Sequence, residues 1–211
     1  MKHILRYLKH TIHHCLFLHC ETTFTIQAFS DADWASCPDD RRSTIGYCLY
    51  LGRNLISRTF RKQRIVSRSS TESEYRAVAQ AATEIVWLQS LISELGILPS
   101  TPPILWCDNI GATYLAANPI FHARTKHIEI DVHYVRDLVS AKALSISFVL
   151  SKDQIANTFT KPLPTTKFNL LRDNLNVREL PLGLRGRIGT TTSSVQVDTP
   201  KLSDKDKLQE G

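Results

Sequence analysis

The stretch Phe29-Ser30-Asp31-Ala32-Asp33 places a carboxylate at the end of an alternating, largely apolar segment that is typical of a β-strand. Where such strand ends meet at one edge of a sheet, their carboxylates form a pocket that is stable only when cations fill it. Three further stretches could contribute to the same pocket: Ser70-Thr71-Glu72-Ser73-Glu74-Tyr75, Leu105-Trp106-Cys107-Asp108-Asn109 and Ser151-Lys152-Asp153-Gln154-Ile155-Ala156-Asn157. A fifth acidic stretch, 127–131, has helical spacing and is expected to lie at the periphery.

The composition indicates a globular chain of ordinary size. Its 211 residues are 42% hydrophobic and carry a net charge of +6 with a pI near 9.1, which permits binding to polyanions. Five cysteines without a Cys-x-x-Cys pair indicate reduced, mostly buried thiols and an intracellular protein. Because no apolar run reaches the roughly 20 residues of a membrane span, we expect no membrane partner.

Hydrophobic periodicity predicts strands and helices in the order β-β-β-α-β-α-α-β-α, which favours a mixed sheet covered by helices. A Ser151/Gln154 cap is expected for the last helix. The predicted strands are 25–30, 44–51, a third strand over 54–57 and 64–67 that allows a break between its halves, 104–107 and 144–150; the predicted helices are 71–95, 109–117, 126–141 and 153–160.

The two ends of the chain differ from the middle. Residues 1–22 begin as a short amphipathic helix and continue with histidines and cysteines (His10, His13, His14, His19, Cys15, Cys20). These ligand types permit zinc, although their spacing matches no recognised site; the alternative is the end of a helix and a strand of a larger protein. After about residue 185 the chain is rich in Thr, Ser and alternating charges, and we expect disorder there.

Seven motifs follow one another in an order that closely resembles the ribonuclease H domain at the end of the Pol polyprotein of copia-type LTR retrotransposons. The resemblance covers about 23–165, and 1–22 look like the tail of the preceding reverse transcriptase, which leaves 166–211 as a C-terminal extension. No Tyr-x-Asp-Asp polymerase motif occurs in the sequence. The motifs are SDADW (30–34), STIGYC (43–48), KQ (62–63), SSTESEYRA (69–77), WCDN (106–109), RTKHIEID (124–131) and KDQIANTFTKPL (152–163).

The resemblance implies an α/β fold with a mixed five-stranded sheet, three strands antiparallel and two further strands parallel, flanked by helices. It implies hydrolysis of the RNA strand of an RNA/DNA hybrid with two Mg²⁺ ions, for which Mn²⁺ can substitute. It also implies a link to the reverse transcriptase portion of the same polyprotein and a cytoplasmic, virus-like-particle setting.

By motif position, the resemblance assigns the catalytic and metal-binding positions to Asp31, Glu74, Asp108 and Asn157. Asp31 would bridge both ions, Glu74 and Asp108 would complete the ion on the leaving-group side, and the fourth residue would support the ion that activates water. Asn157 is a departure, since we expect Asp at this position in most relatives, and Arg58 stands where relatives usually carry Trp.

The amide of Asn157 offers an oxygen but no charge, so we expect a weaker ion, a less acidic bound water and lower activity. Asp153, one turn earlier on the predicted helix, is a possible substitute that would act through a water. The loop before this helix is Ser151-Lys152, which contains no histidine to shuttle protons.

Each acidic residue also has a purely structural interpretation. Thr71 and Glu74 fit a capping box, Asp108 fits the N-cap of the next helix, and Asp31 fits a turn at a strand end. In the context of the motifs, the metal site is the favoured interpretation. Glu72, Asp33 and Asp131 are interpreted as solvated acids or as acids behind the ligands.

A basic stretch without acidic residues runs from position 41 to 71 and predicts contacts to a phosphate backbone. The alternative is a solvated basic edge that discourages strand pairing. A second basic group opens the helix near 126. The predicted nucleic-acid-binding residues are Arg41, Arg42, Arg58, Arg61, Lys62, Arg64, Arg68, Arg124 and Lys126, with Arg53 and His127 beside them.

Three functions remain open on the sequence. The first is a hybrid-cleaving ribonuclease that Asn157 impairs. The second is a nucleic-acid-binding remnant without catalysis, which Asn157 and Arg58 favour. The third is a structural remnant that is too short at its N-terminus to act.

Overall fold

The computed structural model describes residues 2–97, 99, 101–118 and 128–179. A five-stranded mixed sheet lies at its centre, and a two-stranded antiparallel sheet joins the two ends of the described chain. The strands are β1 (His14–Leu16), β2 (Ile26–Asp33), β3 (Thr44–Leu51), β4 (Asn54–Lys62), β5 (Ile104–Cys107), β6 (Ser145–Phe148) and β7 (Val177–Glu179).

The large sheet has the strand order β4-β3-β2-β5-β6. Strands β2, β3 and β4 pair antiparallel, and β5 and β6 are added in parallel to β2. This confirms the expected α/β class and the mixed five-stranded sheet. Because β2 and β5 are parallel neighbours, their carboxyl ends lie side by side, although Asp31 and Asp108 are far apart in sequence.

The helices cover both faces of this sheet. The longest helix, α2, buries its apolar stripe against one face, where Ile26 and Leu105 of the sheet belong to the same core as Val78 and Ile85 of the helix. Its spacing of three and four residues is what an amphipathic helix requires. The helices are α1 (Lys2–Thr11), α2 (Ser70–Glu94), α3 (Ile110–Ala117), α4 (Glu129–Ser140), α5 (Asn157–Thr160) and α6 (Thr165–Asn174).

The opposite face of the sheet is covered by the end of the described chain. Cys48, Tyr50 and Leu55 form a second core with Leu175, and Phe159 packs against it. Helix α5 crosses β3 so closely at Gly46 that a Cβ atom there would lie 2.9 Å from the Cβ of Phe159. The absence of a side chain at Gly46 therefore lets α5 approach the strand pair that carries Asp31, to which Gly46 is directly opposite.

Three strand predictions were wrong in extent. Strand β2 continues to Asp33, so Asp31 lies inside the strand and not at its end. The third strand runs over Asn54–Lys62, because its second half pairs with β3 up to Thr44, and 64–67 form a bend followed by irregular chain instead. The strand predicted over 144–150 is the shorter β6.

The last predicted helix was also wrong in extent. The helical segment is only Asn157–Thr160, and no side-chain cap precedes it. Ser151 does not cap it, because its hydroxyl donates to the carboxylate of Asp108. Gln154 is fully buried and donates to the backbone carbonyl of Ser30, which ties the preceding turn to β2.

The N-terminal amphipathic helix is present as α1, and it has no buried residue. No local pattern indicated that β1 would pair with β7 or that α6 would form. All five cysteines are free thiols, but only Cys48 and Cys107 are buried, so the expectation of mostly buried thiols was wrong. Within the described ranges, no helix is long and apolar enough to span a bilayer. The predicted disorder after 185 lies outside the described residues.

Candidate metal centre and active site

Asp31 is the most buried acid of the site, with no exposed surface. One carboxylate oxygen, Oδ2, accepts a hydrogen bond from the hydroxyl of Thr160. The other, Oδ1, lies 2.8 Å from the ammonium nitrogen of Lys161. Both partners come from α5 or its C-terminal end, so the helix that Gly46 admits also orients this carboxylate.

Glu74 lies in the first turns of α2 but does not cap the helix. The N-cap is Ser69, whose hydroxyl accepts from the backbone N–H of Glu72, and the Glu72 carboxylate in turn accepts from the backbone N–H of Arg68. The predicted Thr71/Glu74 capping box was therefore wrong by two residues. Glu72 is buried and paired with Arg76 at 3.0 Å, so it is not a solvated acid.

Since capping is done elsewhere, Glu74 is available to the site. Its side chain is only 6% exposed. The backbone N–H of Ala32 donates to its carboxylate, but Oε2 has no hydrogen-bond partner among the described residues. A buried carboxylate oxygen without a partner is costly, and a cation would remove that cost.

Asp108 follows β5 directly and is half-buried. It is not the N-cap of α3, as one interpretation had it, because Asn109 fills that position and accepts from the backbone N–H of Ala112 at 2.9 Å. Oδ2 of Asp108 instead accepts from the Ser151 hydroxyl at 2.8 Å. This contact fixes the carboxylate toward the loop that precedes α5.

The structure brings the three predicted acids together. Asp31, Glu74 and Asp108 each offer a carboxylate oxygen, and these oxygens lie within 4.8 Å of one another. No other group of three or more His, Cys, Asp or Glu residues comes this close in the part of the chain that the structure describes, so the His/Cys segment near the N-terminus assembles no zinc site there. Three hard oxygen donors, one of them unpartnered, fit Mg²⁺.

The fourth predicted position, Asn157, lies beside this group at the first residue of α5 and is 2% exposed. Its Nδ2 donates to the carbonyl oxygen of Ser151 at 3.0 Å. Its Oδ1 accepts from the ammonium of Lys161 at 2.7 Å. The amide is thus fixed at both ends within the protein.

Lys161 is the site residue that sequence reasoning missed. Its ammonium lies between Asp31 and Asn157 and contacts both. The signal in the sequence was its spacing, since Lys161 follows Asn157 by four residues, which is the spacing of side chains that meet on one helix face. Asp153, the proposed substitute acid, is exposed in the turn before α5 and not on that helix, so the geometric basis for its role was wrong.

The electrostatics reflect three carboxylates in a confined space. Burial raises the pKa of Glu74 to about 9, and the charges of Asp31 and Asp108 add to this. Burial also raises the pKa of Asp108, although the Ser151 hydrogen bond opposes the shift. For Lys161, burial lowers the pKa, but its hydrogen bond and attraction to Asp31 outweigh burial, and the net shift is upward.

Two further acids, Asp33 and Asp131, do not belong to the group formed by Asp31, Glu74 and Asp108. Burial raises the pKa of Asp33, an effect that Lys161 opposes and Asp31 reinforces. Burial likewise raises the pKa of Asp131, and the charge of Arg76 opposes it.

The predicted nucleic-acid-binding residues in the described ranges are all exposed. Arg42 and Lys62 both pair with Asp40, at 3.5 and 3.2 Å, and Arg61 donates to Gln80. Arg124, Lys126 and His127 lie outside the described residues. A cavity of about 470 Å³ lies at the end of the edge strand β4; basic side chains on its lining are Arg61, Lys62, Arg64 and Arg76. The exposed basic residues of the predicted nucleic-acid-binding group that lie in the described ranges are Arg41, Arg42, Arg53, Arg58, Arg61, Lys62, Arg64 and Arg68.

The chain has clear sequence relatives. It is 49% identical over 181 residues to the retrovirus-related Pol polyprotein from transposon RE1 of Arabidopsis thaliana, a match that covers 86% of this chain and 12% of the relative. It is 34% identical over 173 residues to that from transposon TNT 1-94 of Nicotiana tabacum, covering 82% of this chain and 13% of the relative. The chain therefore spans about an eighth of the length of these relatives. No family model matches it.

Solved structures give a more distant likeness. The N-terminal ribonuclease H domain of a Mycobacterium tuberculosis protein is 9% identical, with a TM-score of 0.49 over 72% of this chain and 98% of that one. LC11-RNase H1 in complex with an RNA/DNA hybrid is 11% identical, with a TM-score of 0.47 over 64% of this chain and 93% of that one. The strand order itself carries the assignment of the fold.

A β4-β3-β2-β5-β6 sheet with acids gathered beside β2 and β5 defines a ribonuclease H-type domain. The sequence relatives make it more specific: the chain is homologous to part of the Pol polyproteins of copia-type retrotransposons.

The raised pKa of Glu74 predicts a pH-dependent stability in metal-free protein. Between its ordinary value of 4.5 and about 9, Glu74 is protonated in the folded state but ionised in the unfolded chain. The contribution of protonated Glu74 to the free energy of unfolding is therefore fully present below pH 4.5 and is lost as the pH rises from 4.5 to about 9. Glu74→Gln should flatten that fall, as measured by thermal unfolding in EDTA at several pH values.

The matched control for this measurement is Glu94→Gln, an exposed position at the end of the same helix. It should leave the pH dependence of the melting temperature as in the wild type. If the wild type and Glu74→Gln give parallel curves across the window, Glu74 is not the buried acid described above.

Proposed function

We propose that this chain is a ribonuclease H-type endonuclease domain that hydrolyses the RNA strand of RNA/DNA hybrids with bound Mg²⁺. The observation that carries the proposal is the convergence of Asp31, Glu74 and Asp108, with the unpartnered Oε2 of Glu74 among them. Structural acids are normally paired or solvated, whereas in the described part of the chain only Asp31 of these three has an ammonium partner and the buried carboxyl group of Glu74 keeps an oxygen without one, an arrangement that a cation stabilises. Mn²⁺ is expected to substitute, because it also accepts oxygen ligands.

In this proposal the chain's own residues hold and orient the metal ligands. Asp31 is central, since it lies between the α5 side and the Glu74/Asp108 side of the site, and the family resemblance gives it the bridging role between two ions. Thr160 and Ser151 fix the carboxylates of Asp31 and Asp108. When bound, divalent ions supply an activated water and stabilise the departing oxygen of the phosphodiester.

Asn157 is proposed to lower the activity of this copy. It stands at the fourth ligand position and supplies an amide oxygen without charge, and that oxygen is already bound to Lys161. The site then offers three carboxylates where a four-acid relative offers four. Weaker binding of the ion on this side follows from the missing charge.

The exposed basic residues of β4 and its following loop are proposed to contact the phosphates of the hybrid. Their exposure and the cavity at Arg61, Lys62 and Arg64 support this role. Asp40 neutralises part of the charge of Arg42 and Lys62, so Arg58, Arg64 and Arg68 are the stronger candidates. Phosphate contacts of this kind position a duplex without reading its sequence.

The partner and setting follow from the homology to Pol polyproteins. We propose that the domain acts beside the reverse transcriptase portion of the same polyprotein, in cytoplasmic virus-like particles. The proposed boundaries keep 23–165 as the ribonuclease H-like domain, with 1–22 and 166–211 flanking it. Because β1 pairs with β7, the described parts of the two flanking segments contact each other.

The second candidate is a nucleic-acid-binding remnant without catalysis. The specific observation in its favour is the Asn157–Lys161–Asp31 chain of contacts, which fills one side of the site with a side chain of the protein itself. A purely structural remnant is less well supported, because the sheet and its carboxylate group are both assembled.

Cleavage of a labelled RNA/DNA hybrid in Mg²⁺ separates these candidates. Asp31→Asn should lower the cleavage rate by more than about 100-fold, since even residues behind metal ligands typically account for 10- to 100-fold. Asp153→Asn is the matched control and should leave the rate unchanged. Hybrid binding without cleavage in the wild type, under Mg²⁺ and Mn²⁺ alike, would favour the binding remnant.

Asn157→Asp tests the assignment of the fourth position. The new carboxylate adds a charged ligand, so the cleavage rate at limiting Mg²⁺ should rise by about tenfold or more. Circular dichroism should establish that the variant is folded. A folded Asn157→Asp protein with the wild-type rate and the wild-type Mg²⁺ dependence, also when Lys161 is replaced by Met, would show that position 157 does not support an ion.

The basic surface can be tested by the salt dependence of hybrid binding. Arg58→Ala and Arg64→Ala should each weaken binding and reduce the slope of log K against log salt by about 0.7–0.9 for each phosphate that the protein no longer neutralises. Lys9→Ala removes an exposed charge from α1 and should leave the slope unchanged. Equal slopes for all three variants would support the alternative of a solvated basic edge.

A further inference from the structure

The ammonium of Lys161 occupies a position inside the site and not at its rim. It lies 2.8 Å from Oδ1 of Asp31 and 2.7 Å from Oδ1 of Asn157. The family resemblance would place a metal ion on the Asn157 side, in contact with the same two oxygens. The protein thus supplies its own positive charge between these two residues.

The local structure explains how Lys161 reaches this position. Asn157 begins α5 and Lys161 is its C-cap, with its backbone N–H bonded to the carbonyl of Asn157. The buried Thr160 just before it holds Asp31 from the same element. The Lys161 side chain is still 38% exposed, so it can leave the site toward solvent without disturbing the core.

The charges of the site are consistent with this arrangement. With Glu74 ionised, as metal binding requires, three carboxylates and one ammonium leave a formal charge of −2, which a single divalent cation neutralises. The neutral amide of Asn157 accepts a hydrogen bond from the ammonium without adding a fourth negative charge. Asn157 and Lys161 together therefore stand in for a carboxylate and its ion.

We propose that Lys161 is a tethered counter-ion that competes with metal on the Asn157 side of Asp31. In the substrate-free protein it limits the site to one divalent cation, held by Asp31, Glu74 and Asp108. A second ion can bind only when the Lys161 side chain moves out. This inference rests on the proposed metal site, and it concerns occupancy rather than the reaction itself.

The simpler alternative is an ion pair that only fastens α5 to β2. Both interpretations predict some loss of stability when Lys161 is removed. The two interpretations differ in metal binding, because a purely structural ion pair would not occupy a position that a metal ion could otherwise take. Metal affinity and stoichiometry, measured without substrate and without turnover, therefore discriminate between them.

The experiment is titration of the whole chain with Mn²⁺, with free Mn²⁺ followed by electron paramagnetic resonance. The variants are Lys161→Met, Asn157→Asp combined with Lys161→Met, and Lys167→Met. Lys167 is the matched control, because its ammonium donates to the carbonyl of Ser151 at 3.3 Å, so its removal takes away a nearby positive charge outside the carboxylate group. Lys161→Gln, which keeps an amide donor without the charge, is the second variant if Lys161→Met fails to fold.

The wild type should bind one Mn²⁺, and Lys161→Met should bind it about tenfold more tightly, since a unit charge in contact with the ligands is removed. Lys167→Met should change the affinity by no more than about twofold, because its charge is more exposed to solvent screening. The combined variant should bind two ions. This set of results supports the tethered counter-ion.

Two wild-type ions, or equal effects of Lys161→Met and Lys167→Met, would overturn the inference and leave the proposed nuclease untouched. Conversely, the expected Mn²⁺ results with no hybrid cleavage would remove the proposed activity and leave the counter-ion in place. If no variant binds Mn²⁺, both the inference and the metal site of the proposed function are wrong.

Discussion

The burial of Asp31 is the constraint on which the rest of the site depends. A carboxylate with no exposed surface in the middle of a sheet must be compensated, and here the Thr160 hydroxyl and the Lys161 ammonium do this. The compensation comes from α5, whose position depends on the missing side chain at Gly46. One buried charge therefore links the packing of the second face of the sheet to the chemistry at its edge.

The parallel pairing of β2 with β5 supplies the second element of the site. Asp31 lies inside one strand and Asp108 follows the other, and helix α2 brings Glu74 to the same place. Like charges this close raise each other's proton affinity, which is why burial and neighbouring carboxylates together raise the pKa of Glu74. An arrangement that is unfavourable without a cation is the physical basis for expecting one.

The difference between this site and that of a four-acid relative involves Lys161 as well as Asn157. Under the proposed function, the amide considered alone is the loss of a charged ligand. Considered with Lys161, it is part of a neutral acceptor and tethered ammonium pair that satisfies Asp31 from within the chain. We propose that the same pair stabilises the metal-free fold and opposes the binding of a second ion, which would couple stability and metal occupancy through one side chain.

The sequence by itself determined the sheet, the long helix α2 and the identity of the three acids, because hydrophobic periodicity and ordered motifs are local signals. It placed the capping box at Thr71/Glu74, although Ser69 and Glu72 have the same spacing and Ser69 is the residue that caps α2. It also began the last helix at 153, where the hydroxyl of Ser151 bonds Asp108 instead of capping a helix. Only the tertiary structure decided that Ser151 bonds Asp108, that Lys161 enters the site, and that β1 pairs with β7. These contacts join residues that lie as much as 165 positions apart, as His14 and Glu179 do, and no local pattern encodes such distances.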